Sequence, residues 1–564
     1  LHGRKNFFRA FFKSYFSVIL PAVSSLKKNE KGIKTMSSSS IALEDGRAIV
    51  DAATEKHPPG LYVLFATEMW ERFSFYSMLA LFTLYMQNGE EGFGWTAAQA
   101  TNLYSWYLAF VYASPLIGGL IADKVTGYRK AVMIGGFFFM AGHLLLSFRS
   151  LPIVYLALVC LVVGNGFFKP NVSAMVGNLY KEGSHLKDRA YNIFYLGINI
   201  GAFFAPLVME AVKSKVGNHP AFAVAAFGMV ISVTILWRLK KYVEHADTPK
   251  AKAALGDDIS RPKLPIDEVP NSRRIGALIV IFLIVIVFWM VFHQNSSTLT
   301  YWADDNTAWN VSGTISNAIN PFWILALTFP LVWFWQYLDS KGKEPSTPVK
   351  MMIGMCLTAL SFVILYFAAT TGEAKQVTPD LYAVGSFRIN DRAASSLETS
   401  GVPKDVVQKI MAAKADDKFI LNDRKFASDD KSSGEQKLTE ALGKVLSPAE
   451  VTQYKAAIMQ QSYQFKVSPV WLILAYMVLT LGELMLSPMG LALVSKVAPE
   501  QWRGVMMGGW FLATAIGNKL TMIGVYWGVW KQSSFFIILG GMAFVMAIVL
   551  FLLLRPLKKA MPGV

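Results

Sequence analysis

Glu68-Met69-Trp70-Glu71-Arg72-Phe73-Ser74-Phe75-Tyr76 sets three full charges in the middle of the first long apolar run of the chain. A charge near the centre of a lipid-spanning helix costs about 2.5–3.5 kcal/mol to insert, so such charges persist where they turn inward to a partner, a cavity or a pathway. At 100° per residue Glu68, Glu71, Arg72 and Tyr76 fall within one helical stripe, and their polar ends line one cavity. The plainer reading is a salt bridge that only ties helices together, but it leaves the second acid without a purpose.

The surrounding composition supports a membrane setting. Of 564 residues, 53% are hydrophobic, 13% aromatic and only 16% charged, the balance of a polytopic membrane protein. The net charge of +16 would suggest nucleic acid in a soluble chain. Here the basic residues sit mainly in short connections between apolar runs, as the positive-inside rule expects, and nucleic-acid binding is excluded. Cys160 and Cys356 are the only cysteines and both lie inside apolar runs, which supports neither a disulfide framework nor a cysteine metal site.

Residues 1–35 are basic and hold a short apolar patch, Tyr15 to Val23, behind Arg4, Lys5, Arg9 and Lys13. Met36 followed by Ser37 to Ser40 reads as the start of a leader, and the segment before it as an extension in preference to a signal peptide. From Gly60 onward twelve apolar stretches are long enough to cross the hydrocarbon core. They lie at 60–87, 98–122, 130–148, 152–180, 188–213, 219–238, 275–301, 316–337, 349–370, 468–495, 504–530 and 533–555. The short connections alternate in charge: Lys124, Arg129 and Lys130, then Lys181, Lys187 and Arg189, Lys341, Lys343 and Lys350, and Lys496 and Arg503 fall on one side. The connections from Gln87 to Gln99 and from Ala303 to Gly313 carry no Lys or Arg, so both termini are expected in the cytoplasm.

The chain therefore divides into an extension and leader (1–59), a six-helix bundle (60–238), a charged cytoplasmic linker (239–274) and a second bundle (275–370 and 468–564) interrupted by an insert at 371–467. The insert's 14 Lys and Arg nearly cancel its 13 Asp and Glu, and long loops cross regardless of charge, so it is expected on the periplasmic or extracellular side. Val406, Val407, Ile410 and Met411 mark one amphipathic helix there, and Ser447-Pro448-Ala449-Glu450 the start of another. No catalytic or metal constellation stands out in it, and it reads as a mainly helical cap. Each bundle carries a lone charge in its fourth span, Lys169 before Pro170 and Glu483 ahead of Pro488. Proline-marked helices at matching places in two halves point to a midplane site.

Gly118-Gly119-Leu120-Ile121-Ala122-Asp123-Lys124-Val125-Thr126-Gly127-Tyr128-Arg129-Lys130 follows the second span. It resembles the signature of major facilitator transporters, which implies an all-α membrane protein with twelve transmembrane helices in two six-helix bundles that rock about a central site. EMWERFSFY (68–76), GNGFFKPNVSAMVGNLY (164–180), FYLGINIGAF (194–203), INP (319–321) and GELMLSPMG (482–490) together resemble the proton-coupled oligopeptide transporters. That resemblance reaches across both bundles but not the extension or the insert. It implies proton coupling through Glu68, Glu71 and Arg72, a peptide carboxylate held by Arg72 and Lys169, and a peptide amino group held by Glu483. It further implies that Tyr76, Tyr112, Asn199, Asn320 and Trp510 line the peptide, although each also has an ordinary packing or interhelical role available.

The residue chemistry agrees. A zwitterionic peptide needs cations at one end and an anion at the other, and Arg offers a fork where Lys offers a point charge. Without a ligand, Lys169 and Glu483 are expected to pair with each other. One departure stands out: Phe288-Trp289-Met290-Val291-Phe292-His293-Gln294 puts His293 where the family usually has an acid before the Gln. Plant nitrate transporters of the wider family are similar in carrying a His in the seventh helix. Three acids against two cations leave one acid in excess as a proton carrier, and His293 is a candidate for a further proton step. The expected function is a symporter, not an enzyme, importing di- and tripeptides with protons across an inner (plasma) membrane, with no metal or organic cofactor. The alternatives are import of a small anion such as nitrate and, less favoured, a receptor that uses its insert. A membrane hydrolase is a distant third, since no nucleophile and base pair stands among the spans.

Overall fold

Each of the twelve apolar stretches forms a long helix in a computed structural model that describes residues 57–180, 186–247, 265–309, 311–375, 378–415, 418–419, 421–429, 431–499 and 502–562. The extension, Lys181 and most of the interbundle linker lie outside the described residues. The first six helices are Pro59–Gln87, Ala97–Ile121, Tyr128–Leu145, Leu151–Asn178, Leu186–Val216 and Asn218–Arg238. The second six are Asn271–Phe292, Ile319–Asp339, Thr347–Glu373, Pro469–Val497, Arg503–Leu520 and Gln532–Ala560. Among the described residues nine helical segments are long and apolar enough to cross a membrane on composition alone. The first helix falls short of that mark because it carries Glu68, Glu71 and Arg72, the third because it opens on Arg129 and Lys130, and the eleventh because Asn518 and Lys519 lower its hydropathy.

Local chemistry sets the helix ends. Thr96 and Gln99 form a capping box at the start of the second helix, while Pro59, Pro152, Pro348 and Pro469 occupy first-turn positions where a missing N–H costs nothing. Buried apolar side chains then collect into separate clusters. One is drawn from Leu61 to Ala246 and the other almost wholly from Ile266 to Met561, so each set of six helices packs round its own core.

The seventh and eleventh spans are shorter helices than their apolar runs. The seventh ends at Phe292, tightens into a 3₁₀ turn over His293–Ser296 and resumes as Thr298–Asp305; the eleventh tightens over Thr521–Gly528. The two breaks meet. Gln294 Nε2 donates to the Thr521 carbonyl at 3.1 Å, replacing a backbone partner that the broken helix gives up.

The insert has a third core of its own, including Phe387, Leu397, Ile410, Leu421, Leu442 and Ile458. Helices Asp391–Thr399, Lys404–Ala412, Gly434–Gly443 and Pro448–Ser462 surround it, the last opened by a capping box of Ser447 and Glu450. Two very short antiparallel pairs complete it: Phe387 faces Phe426 and Arg388 faces Lys425 in one, Lys414 faces Phe419 in the other.

Close helix crossings position the functional region. A Cβ on Gly118 would stand 1.9 Å from the Gly166 carbonyl oxygen, so the second and fourth helices touch backbone to backbone. A Cβ on Gly201 would meet the Met69 carbonyl oxygen at 2.3 Å and press on Arg72. Gly118→Ala should therefore destabilise the purified protein by about 1–3 kcal/mol in detergent unfolding, the usual cost of overpacking. Gly119→Ala, whose nearest neighbour would be the Pro170 Cβ at 3.7 Å, should leave unfolding unchanged.

Candidate functional site

Arg72 is the centre of the charged cluster, and only 2% of it is exposed. Side chains one residue apart on a helix do not ordinarily face each other. Here the long arms of Glu71 and Arg72 converge all the same: Arg72 Nε lies 2.5 Å from Glu71 Oε2, and Nη2 donates to Oε1 at 2.6 Å. Nη2 also donates to Asn165 Oδ1 at 3.2 Å, and Asn165 is fixed in turn by donating to the Val111 carbonyl at 2.7 Å. The first, second and fourth helices are thus joined through one guanidinium, whose face lies 4.6 Å from the centre of the Phe75 ring. Glu68 Oε1 stands 3.4 Å from Arg72 Nε, whereas Glu68 Oε2 is buried without a hydrogen-bond partner among the described residues. Of the two acids, Glu71 is the fixed counter-ion and Glu68 the one with a free oxygen.

Lys169 lies within electrostatic reach of Glu68, Glu71 and Arg72, and its ammonium sits 4.9 Å from the centre of the Tyr112 ring. Tyr112 belongs to the first bundle, yet its ring lies 5.7 Å from that of His293 in the second. His293 stacks on Trp289 at 5.1 Å, and its Nε2 has no hydrogen-bond partner among the described residues. The histidine therefore stands where the seventh helix breaks, one aromatic ring away from Lys169.

Glu483 supplies the opposite charge from the second bundle. Its Oε2 accepts from Asn320 Nδ2 at 2.9 Å, and the same amide lies 3.0 Å from Thr480 Oγ1, so Asn320 orients the carboxylate. Tyr76 and Tyr112 lie within electrostatic reach of both Arg72 and Glu483. Asn199 donates to the Tyr195 carbonyl of its own helix at 2.9 Å. Trp510 is engaged in the second bundle's core, against Phe282 and Gly490.

The expected ion pair between Lys169 and Glu483 is not formed among the described residues. Lys169 is held by the Tyr112 ring, and Glu483 by Asn320, so each has a nearer partner in its own bundle. Asn165 and Tyr195 are site residues that the sequence analysis did not single out. Both lie inside the quoted strings, but neither carries a charge that would mark it. Tyr195 lies within electrostatic reach of Glu483, which brings the fifth helix to the second bundle's anion.

A sequence profile of the POT family matches residues 129–254, 259–389 and 445–535. The chain is 27% identical to an uncharacterized transporter, YclF, of Bacillus subtilis, over 92% of this chain and 99% of that protein. It is 28% identical to a di-/tripeptide transporter of Lactococcus lactis, over 90% of this chain and 97% of that one. Its fold is similar to that of a crystallised mutant of the peptide transporter POT in complex with alafosfalin, with a TM-score of 0.67, 25% identity and coverage of 90% and 96% of the two chains.

The geometry predicts a one-sided dependence within the cluster. Arg72→Met leaves Glu71 buried without its counter-ion and should cost about 3–5 kcal/mol of stability. Arg72→Met with Glu71→Gln should restore most of that loss, read as the unfolding midpoint of the purified protein in detergent.

Proposed function

The chain belongs to the POT family, and from that membership we propose that it imports di- and tripeptides together with protons by alternating access. The observation that carries the reading is the location of charges of opposite sign on separate bundles, Arg72 and Lys169 on the first and Glu483 on the second, with Tyr76 and Tyr112 within electrostatic reach of both Arg72 and Glu483. A zwitterionic di- or tripeptide then binds with its carboxylate toward Arg72 and Lys169 and its ammonium toward Glu483. Binding then draws the bundles onto one ligand. No covalent step is required, and no cofactor beyond the coupling proton enters the scheme.

The proton has a natural carrier in Glu68. Glu71 is already committed to Arg72, whereas the second oxygen of Glu68 is unpartnered in a buried place where an uncompensated charge is costly. Protonating Glu68 removes that charge, and losing the proton again tightens its hold on Arg72, which is then less free for a peptide carboxylate. His293 is the second candidate for proton coupling, because its ring meets that of Tyr112, the ring on which the Lys169 ammonium sits, across the bundle boundary. Asn199 and Asn320 take the peptide backbone and Glu483 its amino end, while Trp510 shapes the pocket from behind.

Positive connections orient the protein in a plasma membrane with both termini in the cytoplasm and the insert outside. In that orientation the outer end is closed by links between bundles: Thr101 and Tyr301 hydroxyls at 3.0 Å, Lys213 to Ser312 Oγ at 3.0 Å and Lys519 to Asn102 Oδ1 at 3.2 Å. Nitrate import is the second reading, favoured by His293, but Glu483 suits an ammonium group that nitrate lacks.

In proteoliposomes with an inward proton gradient, labelled dipeptide should accumulate and labelled nitrate should not. Lys169→Ala should lower dipeptide uptake about thirtyfold or more, the loss of a buried charged partner, while the variant stays monodisperse. His293→Ala should flatten or shift the pH profile of uptake relative to the parent; an unchanged profile contradicts its coupling role.

A further inference from the structure

The insert leaves the chain between the ninth and tenth helices, both of the second bundle, and nothing in its connection requires it to meet the first. Among the described residues, hydrogen bonds join it to the first bundle at two places. The Asp423 carboxylate accepts a hydrogen bond from the Ala97 N–H, the first N–H of the second helix, which no backbone acceptor within that helix can satisfy. Arg388 Nη1 donates to Gln87 Oε1, at the end of the first helix, at 3.2 Å.

The same two residues are held from the other side. Arg388 pairs with Asp305, at the outer end of the seventh span, with Nε to Oδ2 at 3.1 Å and Nη2 to Oδ1 at 3.2 Å. Its Nη1 also donates to the Asp423 carbonyl at 2.6 Å, so the contact to the first helix and the contact to the second share one hub. Lys425, directly opposite Arg388 in the short strand pair, reaches Asp304 Oδ2 at 2.5 Å and Asp305 Oδ1 at 3.2 Å. Asp305 and Asp423 are buried, and Asp423 is the one non-glycine among the described residues with a positive φ, 58°. A backbone conformation that most residues avoid is thus maintained where the carboxylate meets the first bundle. Burial disfavours the Arg388 charge, but Asp305 and Asp423 raise its pKa above the ordinary arginine value and keep the hub ionic.

We propose that the insert is a clasp across the closed outer end, with Asp423 and Arg388 tying the first bundle to the Asp304–Asp305 pair of the second and releasing it before that end opens. The proposal rests on the alternating-access reading and adds a gate outside the twelve helices. It also gives the insert a purpose that needs no ligand. A chain lacking these contacts holds its outer end by the interhelical links alone, and its resting population moves toward the outward-open form.

The test reads bundle separation instead of transport, so it is distinguishable from a failure of the peptide reading. Full-length protein in nanodiscs, with Cys160 and Cys356 replaced, carries spin labels on Glu90→Cys in the first bundle and Ala308→Cys in the second, both exposed at the outer end. Pulsed dipolar spectroscopy should show a mainly short separation for this parent. Asp423→Asn, Arg388→Gln and Gln87→Ala should each raise the long-distance population about tenfold, the effect of losing a hydrogen bond to a charged group. Gln87 lies outside the insert, so its variant tests the clasp even where the other two disturb the insert's own fold. Distance distributions for Gln87→Ala and Arg388→Gln that superimpose on the parent's overturn the proposal.

Discussion

The fork between Glu71 and Arg72 is the constraint that the rest of the structure answers to. A guanidinium buried inside a membrane bundle must keep its counter-ion, and the two groups sit on adjacent residues of one helix, so the pair is fixed wherever that helix goes. Asn165 then ties the fork to the fourth helix, and Gly201 lets the fifth come close beside it. Outside the fork remain one oxygen of Glu68, the ammonium of Lys169 and, from the other bundle, the carboxylate of Glu483. Fixed charges of the first bundle face a fixed charge of the second because neither set can turn toward lipid.

Separate cores keep the packing of each bundle apart from that of the other. Each bundle buries nearly all of its own apolar side chains, and the contacts between bundles include polar ones, hydroxyl to hydroxyl at Thr101 and Tyr301 and amine to hydroxyl at Lys213 and Ser312, beside ring contacts at Tyr112 and His293 and at Phe203 and Phe322. Polar contacts of this sort are exchanged for water or ligand at small net cost, whereas a shared apolar core is not. The insert follows the same rule. It has a core of its own and meets the helices through hydrogen bonds and ion pairs, with Phe465 against Trp302 as an apolar contact.

Much of this is legible in the letters. Charges inside apolar runs mark Glu68, Glu71, Arg72, Lys169 and Glu483, because only inward-facing positions tolerate them. The helices are legible too, since the apolar runs give their number and approximate ends. The breaks at His293 and Thr521 are not, because the runs continue through them and a 3₁₀ turn has no composition of its own. Asn165 and Tyr195 carry no formal charge, and what makes them matter is a partner on another helix, a relation that no spacing along one helix records. The same limit hid the insert's reach: Arg388 and Lys425 lie in two-residue strands, and Asp423 depends on a left-handed backbone, features with neither periodicity nor length to read.

The central claim is that the two ends of one ligand are held by opposite charges on different bundles. It is tested most directly by comparing binding of a dipeptide with binding of its N-acetylated and C-amidated forms, to the parent and to Glu483→Gln and Lys169→Ala. The account predicts that the parent binds each blocked form about tenfold more weakly or worse, the loss of one charge-assisted contact. Glu483→Gln should then lose its preference against the acetylated form alone, and Lys169→Ala its preference against the amidated form alone. Equal binding of all three ligands by the parent would contradict the account.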